Sequence, residues 1–216
     1  MQNRTLALGL IALSLIPLSA AFMFYERPQD ARDTTTQNAK TDKTPLVRDY
    51  SPVIGPENAP VTIVEFFDPS CEGCRAMHPY VKEILAEYPD NVRLVLRYVL
   101  FHGGSEEAVR ILEAARIQNV YEPVLDAVME SQPQWHDDPE VKAAWTAAES
   151  AGLDLEAARN QLNSPDIDET IKQDMNDVQS IKIKGTPTFY VNGQELSKLG
   201  PQELYDLVKS EVEALN

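Results

Sequence analysis

Two cysteines in 216 residues, at positions 71 and 74, constrain this chain more than any other feature. They stand in Cys71-Glu72-Gly73-Cys74. Before them lies an apolar run rich in β-branched and aromatic residues, Val61 to Phe67 (VTIVEFF). After them come Met77, Val81, Ile84 and Leu85 at helical spacing. A strand that enters a helix through such a pair is the start of an α/β unit. Both sulfurs then meet within one helical turn, where unpaired backbone N–H groups and the helix dipole favour an anion. A thiolate stabilised there attacks disulfides, and the second thiol resolves the mixed disulfide. The spacing therefore assigns attack to Cys71 and resolution to Cys74.

Competing chemistries fail on particular residues. Haem attachment needs His directly after the second cysteine, and Arg75 stands there. Two thiols do not close a structural zinc site, and His78, His102 and His136 are not paired. A purely structural disulfide with a two-residue spacer closes a small strained ring that adds little stability. Copper binding by the reduced pair remains the alternative, although no Met-rich or His-rich tract supports it. The redox reading needs no metal and no small-molecule cofactor.

Leu6 to Tyr25 is an apolar run of 20 residues without charge, preceded by Arg4. It is long enough to span a bilayer core, and Ser19-Ala20-Ala21 offers a cleavage site. Residues 1–25 are thus expected to be a signal anchor or a signal peptide. Either one exports the rest of the chain to a periplasmic or extracytoplasmic, thiol-oxidising compartment. If the run is not removed, it anchors the protein in the inner membrane. Residues 26–50 are polar and without period, a flexible linker. The fold is expected over 51–216.

Within that span, Asn91 to Phe101 reads as a second strand broken by Arg93 and Arg97. Thr188 to Val191 and Gln194 to Leu196, joined by Asn192-Gly193, read as a hairpin. A closing helix from Pro201 puts Leu204, Leu207, Val208, Val212 and Leu215 on one face. Between strand and hairpin, about 105–180, the chain reads as helical. Val120, Tyr121, Val124, Leu125, Val128 and Met129 form one stripe. Asp138-Pro139 reads as a helix start, Gly152 as a stop, and Asp154 and Ser164-Pro165 as further starts. The last of these helices carries Ile167, Ile171, Met175 and Val178. Trp135 and Trp145 read as packing residues.

The net charge is −15, which argues against nucleic acid as a partner. Between Ser105 and Ser180 lie 17 acidic and 5 basic residues. They read first as a solvated face, and second as a surface for basic partners. A scaffold that docks partners on this lobe, with the cysteines as a staple, is a further alternative.

These residues resemble the thioredoxin superfamily and, within it, DsbA-like thiol–disulfide oxidoreductases. The resemblance rests on Gly55 to Asp68 followed by the Cys71–Cys74 motif and on Pro79 in the helix after it. It rests also on Lys184-Gly185-Thr186-Pro187-Thr188-Phe189-Tyr190-Val191-Asn192-Gly193, and on the position of the helical stretch. It implies a thioredoxin-like α/β fold with an inserted helical domain. It implies a cis Pro187 beside the cysteines and a Thr186 whose backbone binds an extended substrate peptide. It implies that Glu65 is a buried acid assisting proton transfer from Cys74; otherwise Glu65 is a strand-end charge reaching solvent. The implied partners are cysteine-containing exported proteins and a membrane redox protein that resets the site, with the protein acting as a monomer.

Two departures matter. Glu72-Gly73 lacks the histidine of strongly oxidising members and adds a negative charge, so a milder oxidant is expected. Thr186 before the proline is similar to the isomerase branch (DsbC and DsbG) and to copper-sensitivity suppressor proteins. The isomerases' dimerisation domain is not seen, which argues against a dimeric isomerase. His78, one turn beyond Cys74, is either a solvated helix residue or a residue tuning the thiols. His102, beside Gly103-Gly104, either lines the cleft or is a plain loop residue.

Overall fold

The computed structural model describes residues 46–215. The expected N-terminal apolar helix and most of the linker lie outside the described residues. Among the described residues, no helix is long and apolar enough to cross a membrane.

Among the described residues, five strands form one mixed sheet. They are β1 (Val53–Ile54), β2 (Val61–Phe67), β3 (Val92–Tyr98), β4 (Thr188–Val191) and β5 (Gln194–Glu195), in spatial order β1-β3-β2-β4-β5. β2 and β3 are parallel, with Glu65 opposite Leu96 and Phe67 opposite Tyr98. β4 runs antiparallel to β2 on its other side, with Glu65 opposite Phe189. β2 and β3 are nearly continuous apolar runs because both sheet faces are covered. The β4–β5 turn matches the Asn-Gly expectation, with φ of 46° at Asn192 and 85° at Gly193.

Seven α-helices complete the described residues. They are α1 (Glu72–Glu87), α2 (Ser105–Ile117), α3 (Tyr121–Ser131), α4 (Lys142–Ser150), α5 (Leu155–Gln161), α6 (Pro165–Ile181) and α7 (Pro201–Glu213). α2 to α6 all fall between β3 and β4, where the helical insertion is expected. Asp154 and Ser164 cap α5 and α6 by accepting from the amides of Ala157 and Ile167.

The side-chain alternation of the strands separates two cores. Ile63, Phe67, Leu94, Leu96 and Phe189 pack with Met77, Val81 and Ile84 of α1, Leu204 and Val208 of α7, and the helical insertion. Val64, Phe66, Val95, Val99 and Tyr190 pack on the opposite face with Val178 of α6 and Ile183. Trp135 and Trp145 are both buried in the first core.

Four readings change. Asp138-Pro139 does not start a helix. Asp138 instead turns the chain by accepting from the amides of Glu140 and Lys142, Val141 follows at φ 42°, and α4 begins at Lys142. Leu215 lies beyond α7 and is exposed. The end of the linker is docked: Arg48 pairs with Asp177 at 2.7 Å, and Tyr50 donates to Asp174 at 2.8 Å. The acidic lobe is also not wholly a solvated face, because Glu113, Asp174 and Asp177 are buried.

Candidate active site

β2 delivers the chain to the site. It ends at Phe67, a short turn follows, and Cys71 is the N-cap of α1 with extended backbone and no side-chain cap bond. Cys71 and Cys74 are both free thiols and both buried. The Cys71 sulfur lies 3.1 Å from the carbonyl of Thr186, to which its S–H donates. The Thr186–Pro187 peptide bond is cis. The pair and the 186–187 loop are therefore in contact, although 115 residues separate Cys71 from Thr186 in the chain.

Gly73 permits this approach. A Cβ there would sit 3.1 Å from Pro187 Cδ, 3.4 Å from the Thr186 carbonyl oxygen and 3.5 Å from Cys71 Sγ. Pro79 lies within α1 and has no N–H to give to the carbonyl one turn earlier.

The two thiols are electrostatically opposite. The Cys71 pKa is pulled down to about 5, first by a hydrogen bond from the Cys74 side chain, against burial. The Thr186 side chain and the backbone amides of Cys74 and Gly73 add to the effect. The Thr186 hydroxyl oxygen is buried without a hydrogen-bond partner while Cys71 is a thiol, so it is a donor held ready for the thiolate. Burial pushes the Cys74 thiol well up, reinforced by Cys71 and Glu65, against one hydrogen bond from the Asp68 N–H at 3.4 Å. Glu65 is buried on the same sheet face as Phe67. Its pKa rises to about 8 through burial and then the charge of Cys71. The strand-end reading of Glu65 is thereby replaced by a buried one.

The remaining candidates separate. His78 meets Asp126 of α3 at 2.8 Å, where Lys82 also pairs. His102 meets Asp68 at 2.7 Å beside the site. Two residues escaped the sequence reading. Asp68, three residues before Cys71, is fully buried. Gln132 is fully buried in a short 3-10 turn, Gln132–Gln134. Its side-chain amide donates to the carbonyls of Pro69 and Cys71, both at 2.8 Å, and accepts from Arg75 at 3.0 Å. It ties the helical insertion to the nucleophile's own backbone. An Asp before a cysteine pair was a visible signal; a Gln 61 residues downstream of Cys71 was not.

A thioredoxin family model matches residues 48–210. The chain belongs to the thioredoxin family. A thioredoxin-like oxidoreductase from Silicibacter pomeroyi superposes with a TM-score of 0.68 at 29% identity, covering 78% of this chain and 95% of that one. Oxidised BdbD from Bacillus subtilis superposes with a TM-score of 0.68 at 24% identity, over 76% and 93%, and supports the fold. By sequence, a probable disulfide bond formation protein D from Bacillus anthracis is 24% identical over 89% of each chain. A Na(+)/H(+) antiporter NhaA from Herminiimonas arsenicoxydans is 32% identical over 70% of this chain. The chain spans only about a quarter of the length of such antiporter relatives.

Proposed function

We propose that this chain is an exported, DsbA-like thiol–disulfide oxidoreductase acting on cysteines of extracytoplasmic proteins. The observation that carries the reading is the asymmetry of the pair. Cys71 is a low-pKa thiol against the cis Thr186–Pro187 loop, and Cys74 is a buried thiol held protonated behind it.

In the oxidising direction a substrate thiolate attacks the Cys71 sulfur of the Cys71–Cys74 disulfide and expels Cys74, giving a mixed disulfide. A second substrate thiolate attacks the substrate sulfur and expels Cys71. In the reverse direction Cys71 attacks a substrate disulfide and Cys74 resolves. Thr186 offers backbone groups to an extended substrate segment. Glu65 exchanges a proton with Cys74, for which a pKa of about 8 is suited. Pro187 closes the wall against which the substrate sulfur lies.

A stabilised thiolate favours the reduced form, so the disulfide tends to oxidise its substrates. A pKa of about 5 at Cys71 lies above the value of about 3.5 for the strongest oxidants of this kind, which supports the milder oxidant that Glu72-Gly73 suggests. Residues 1–25 act as signal anchor or signal peptide, 26–50 as linker and 51–216 as the catalytic domain. A membrane redox protein resets the site, and the protein works as a monomer.

The test is dithiol oxidation of a cysteine-containing peptide. Cys71→Ser is expected to abolish it, and Cys74→Ser to accumulate the mixed disulfide. Full activity in Cys71→Ser would overturn the reading.

A further inference from the structure

The turn after β2 and the loop after β3 are tied by one carboxylate. Asp68 accepts from the Ser70 and Phe101 amides, both at 2.9 Å, from the Ser105 hydroxyl at 2.6 Å and from His102 Nδ1 at 2.7 Å. The first three donors are neutral, and His102 is the titratable one. Asp68 also touches the redox pair: its carbonyl accepts from the Cys71 amide at 3.0 Å and its N–H donates to Cys74 Sγ at 3.4 Å.

The His102 side chain is 46% accessible while that of Asp68 is fully enclosed. The imidazole thus has one nitrogen on a buried carboxyl group and much of the ring open to solvent. Its loop is held in place. Gly104, at φ 75°, packs so closely that a Cβ would fall 2.7 Å from Val141. Ser105 both bonds Asp68 and accepts from the His102 amide at 3.2 Å.

We propose that the His102 imidazolium, seated on Asp68, is an electrostatic partner of the Cys71 thiolate, so that reduction of the pair is coupled to proton retention at His102. The inference rests on the thiol–disulfide reading above and adds a proton-linked residue to it. It supplies from a distant loop the positive charge that Glu72-Gly73 lacks between the cysteines.

The groups that face His102 agree in sign. Its proton affinity is raised by the Asp68 hydrogen bond, against burial, and then by the charges of Asp68, Cys71 and Glu72. On the far side of the loop, Asp138 presents its carbonyl to Gly104 and turns its carboxylate to the amides of Glu140 and Lys142. Glu106, in the first turn of α2, is engaged by Arg110. Coupling between two sites is mutual, so a thiolate that holds the His102 proton is itself stabilised by it.

A substrate dithiol gives two electrons and becomes a disulfide. The protein's disulfide becomes a Cys71 thiolate and a Cys74 thiol. Of the two substrate protons, one goes to Cys74 and the other is released. With His102 partly deprotonated beforehand, a fraction of that second proton is retained on its ring. The coupling acts while His102 titrates and vanishes once it is neutral in both redox states.

The direct test follows the His102 ring resonances against pH in the disulfide and dithiol forms of the protein. The expected result is a higher His102 pKa in the dithiol form. In parallel, thiolate absorbance reads the Cys71 titration. His102→Gln should lower the Cys71 acid constant about threefold, the effect of a partly solvated opposite charge. His102→Lys, which keeps a positive charge, should restore it and remove the His102-dependent inflection. A His102 titration identical in both redox states overturns the inference, as does a Cys71 titration unmoved by His102→Gln. Either result leaves peptide oxidation through Cys71 intact, whereas loss of the proposed function would show instead as retained activity in Cys71→Ser.

Discussion

On the α6 face of the sheet, Asp174 and Asp177 are buried against Arg97, which is itself fully enclosed. Arg97 lies 2.8 Å from Asp174 and 2.5 Å from Asp177, and Arg48 takes the outer side of Asp177 at 2.8 Å. On the α1 face, Glu65 and Asp68 are equally buried, but their partners are a cysteine pair, neutral donors and a histidine. The first cluster has a fixed cation. Burial pushes Asp177 up, yet Arg48 and Arg97 together hold it below its ordinary value. At Asp174 burial outweighs Arg97 and raises the pKa, and the Tyr98 amide and Tyr50 hydroxyl complete its shell. The second cluster has charge that titrates. One sheet thus carries a static ionic clamp on one face and a proton-exchanging site on the other. The difference lies in whether the buried carboxylate meets a guanidinium, which never gives up its proton, or groups that do.

The largest effect is expected at Arg97. Arg97→Leu leaves two buried carboxylates without their enclosed counter-ion, and is expected to cost about 3–5 kcal/mol in denaturant unfolding. The Cys71 titration should be unchanged, because Arg97 points to the opposite face. A loss under about 1 kcal/mol would mean that Arg48 and solvent suffice and that the clamp is not structural.

Glu65→Gln reverses the sign. A carboxyl raised from its ordinary value to about 8 binds more protons folded than unfolded. Its contribution to stability is therefore lost as pH rises from about 4.5, the ordinary carboxyl value, to about 8. Gln removes that loss, so the variant should be more stable than the parent at pH above 8, by roughly 2–3 kcal/mol for a fully buried group. Release of the mixed disulfide by Cys74 should slow about tenfold or more for want of a proton acceptor. Stopped-flow exchange and denaturation at two pH values read the two effects separately. Equal stability of parent and variant across that range would show that Glu65 is solvated and not part of the site.

These two faces were unequally legible. The cysteine pair, the strand before it and the Thr186–Pro187 loop stand as contiguous motifs, and local chemistry suffices to read them. Caps such as Asp154 and Ser164 are local as well. Arg97 was visible only as a break in an apolar strand, because its partners lie 77 and 80 residues away among acidic residues that read as a solvated face. The usable signal was joint: a cation inside a doubly covered strand, and Asp174 and Asp177 three apart on one helical face. Asp138-Pro139 misled for the opposite reason. An Asp that caps a helix and an Asp that turns the chain before one accept similar amide bonds. Only the left-handed Val141, enclosed against Gly104, decides between them.

The smallest effects are expected from removing one neutral hydroxyl from each cluster. Ser105→Ala takes a 2.6 Å donor from Asp68, and Tyr50→Phe takes a 2.8 Å donor from Asp174. Asp174 keeps a guanidinium, so Tyr50→Phe should cost about 0.5–1 kcal/mol, with no step at the histidine titration. Asp68 keeps two amides and His102, so Ser105→Ala should cost about 1–2 kcal/mol, and the loss should depend on pH. A histidine whose folded pKa is raised contributes stability in full below its unfolded value, about 6.5. That contribution fades as pH rises through the folded value. With a donor gone, Asp68 leans more on the imidazolium, so the Ser105→Ala deficit should grow from pH 6 to pH 8. Parallel pH profiles for the two variants would show that His102 does not compensate Asp68, and that the two faces differ in composition without differing in kind.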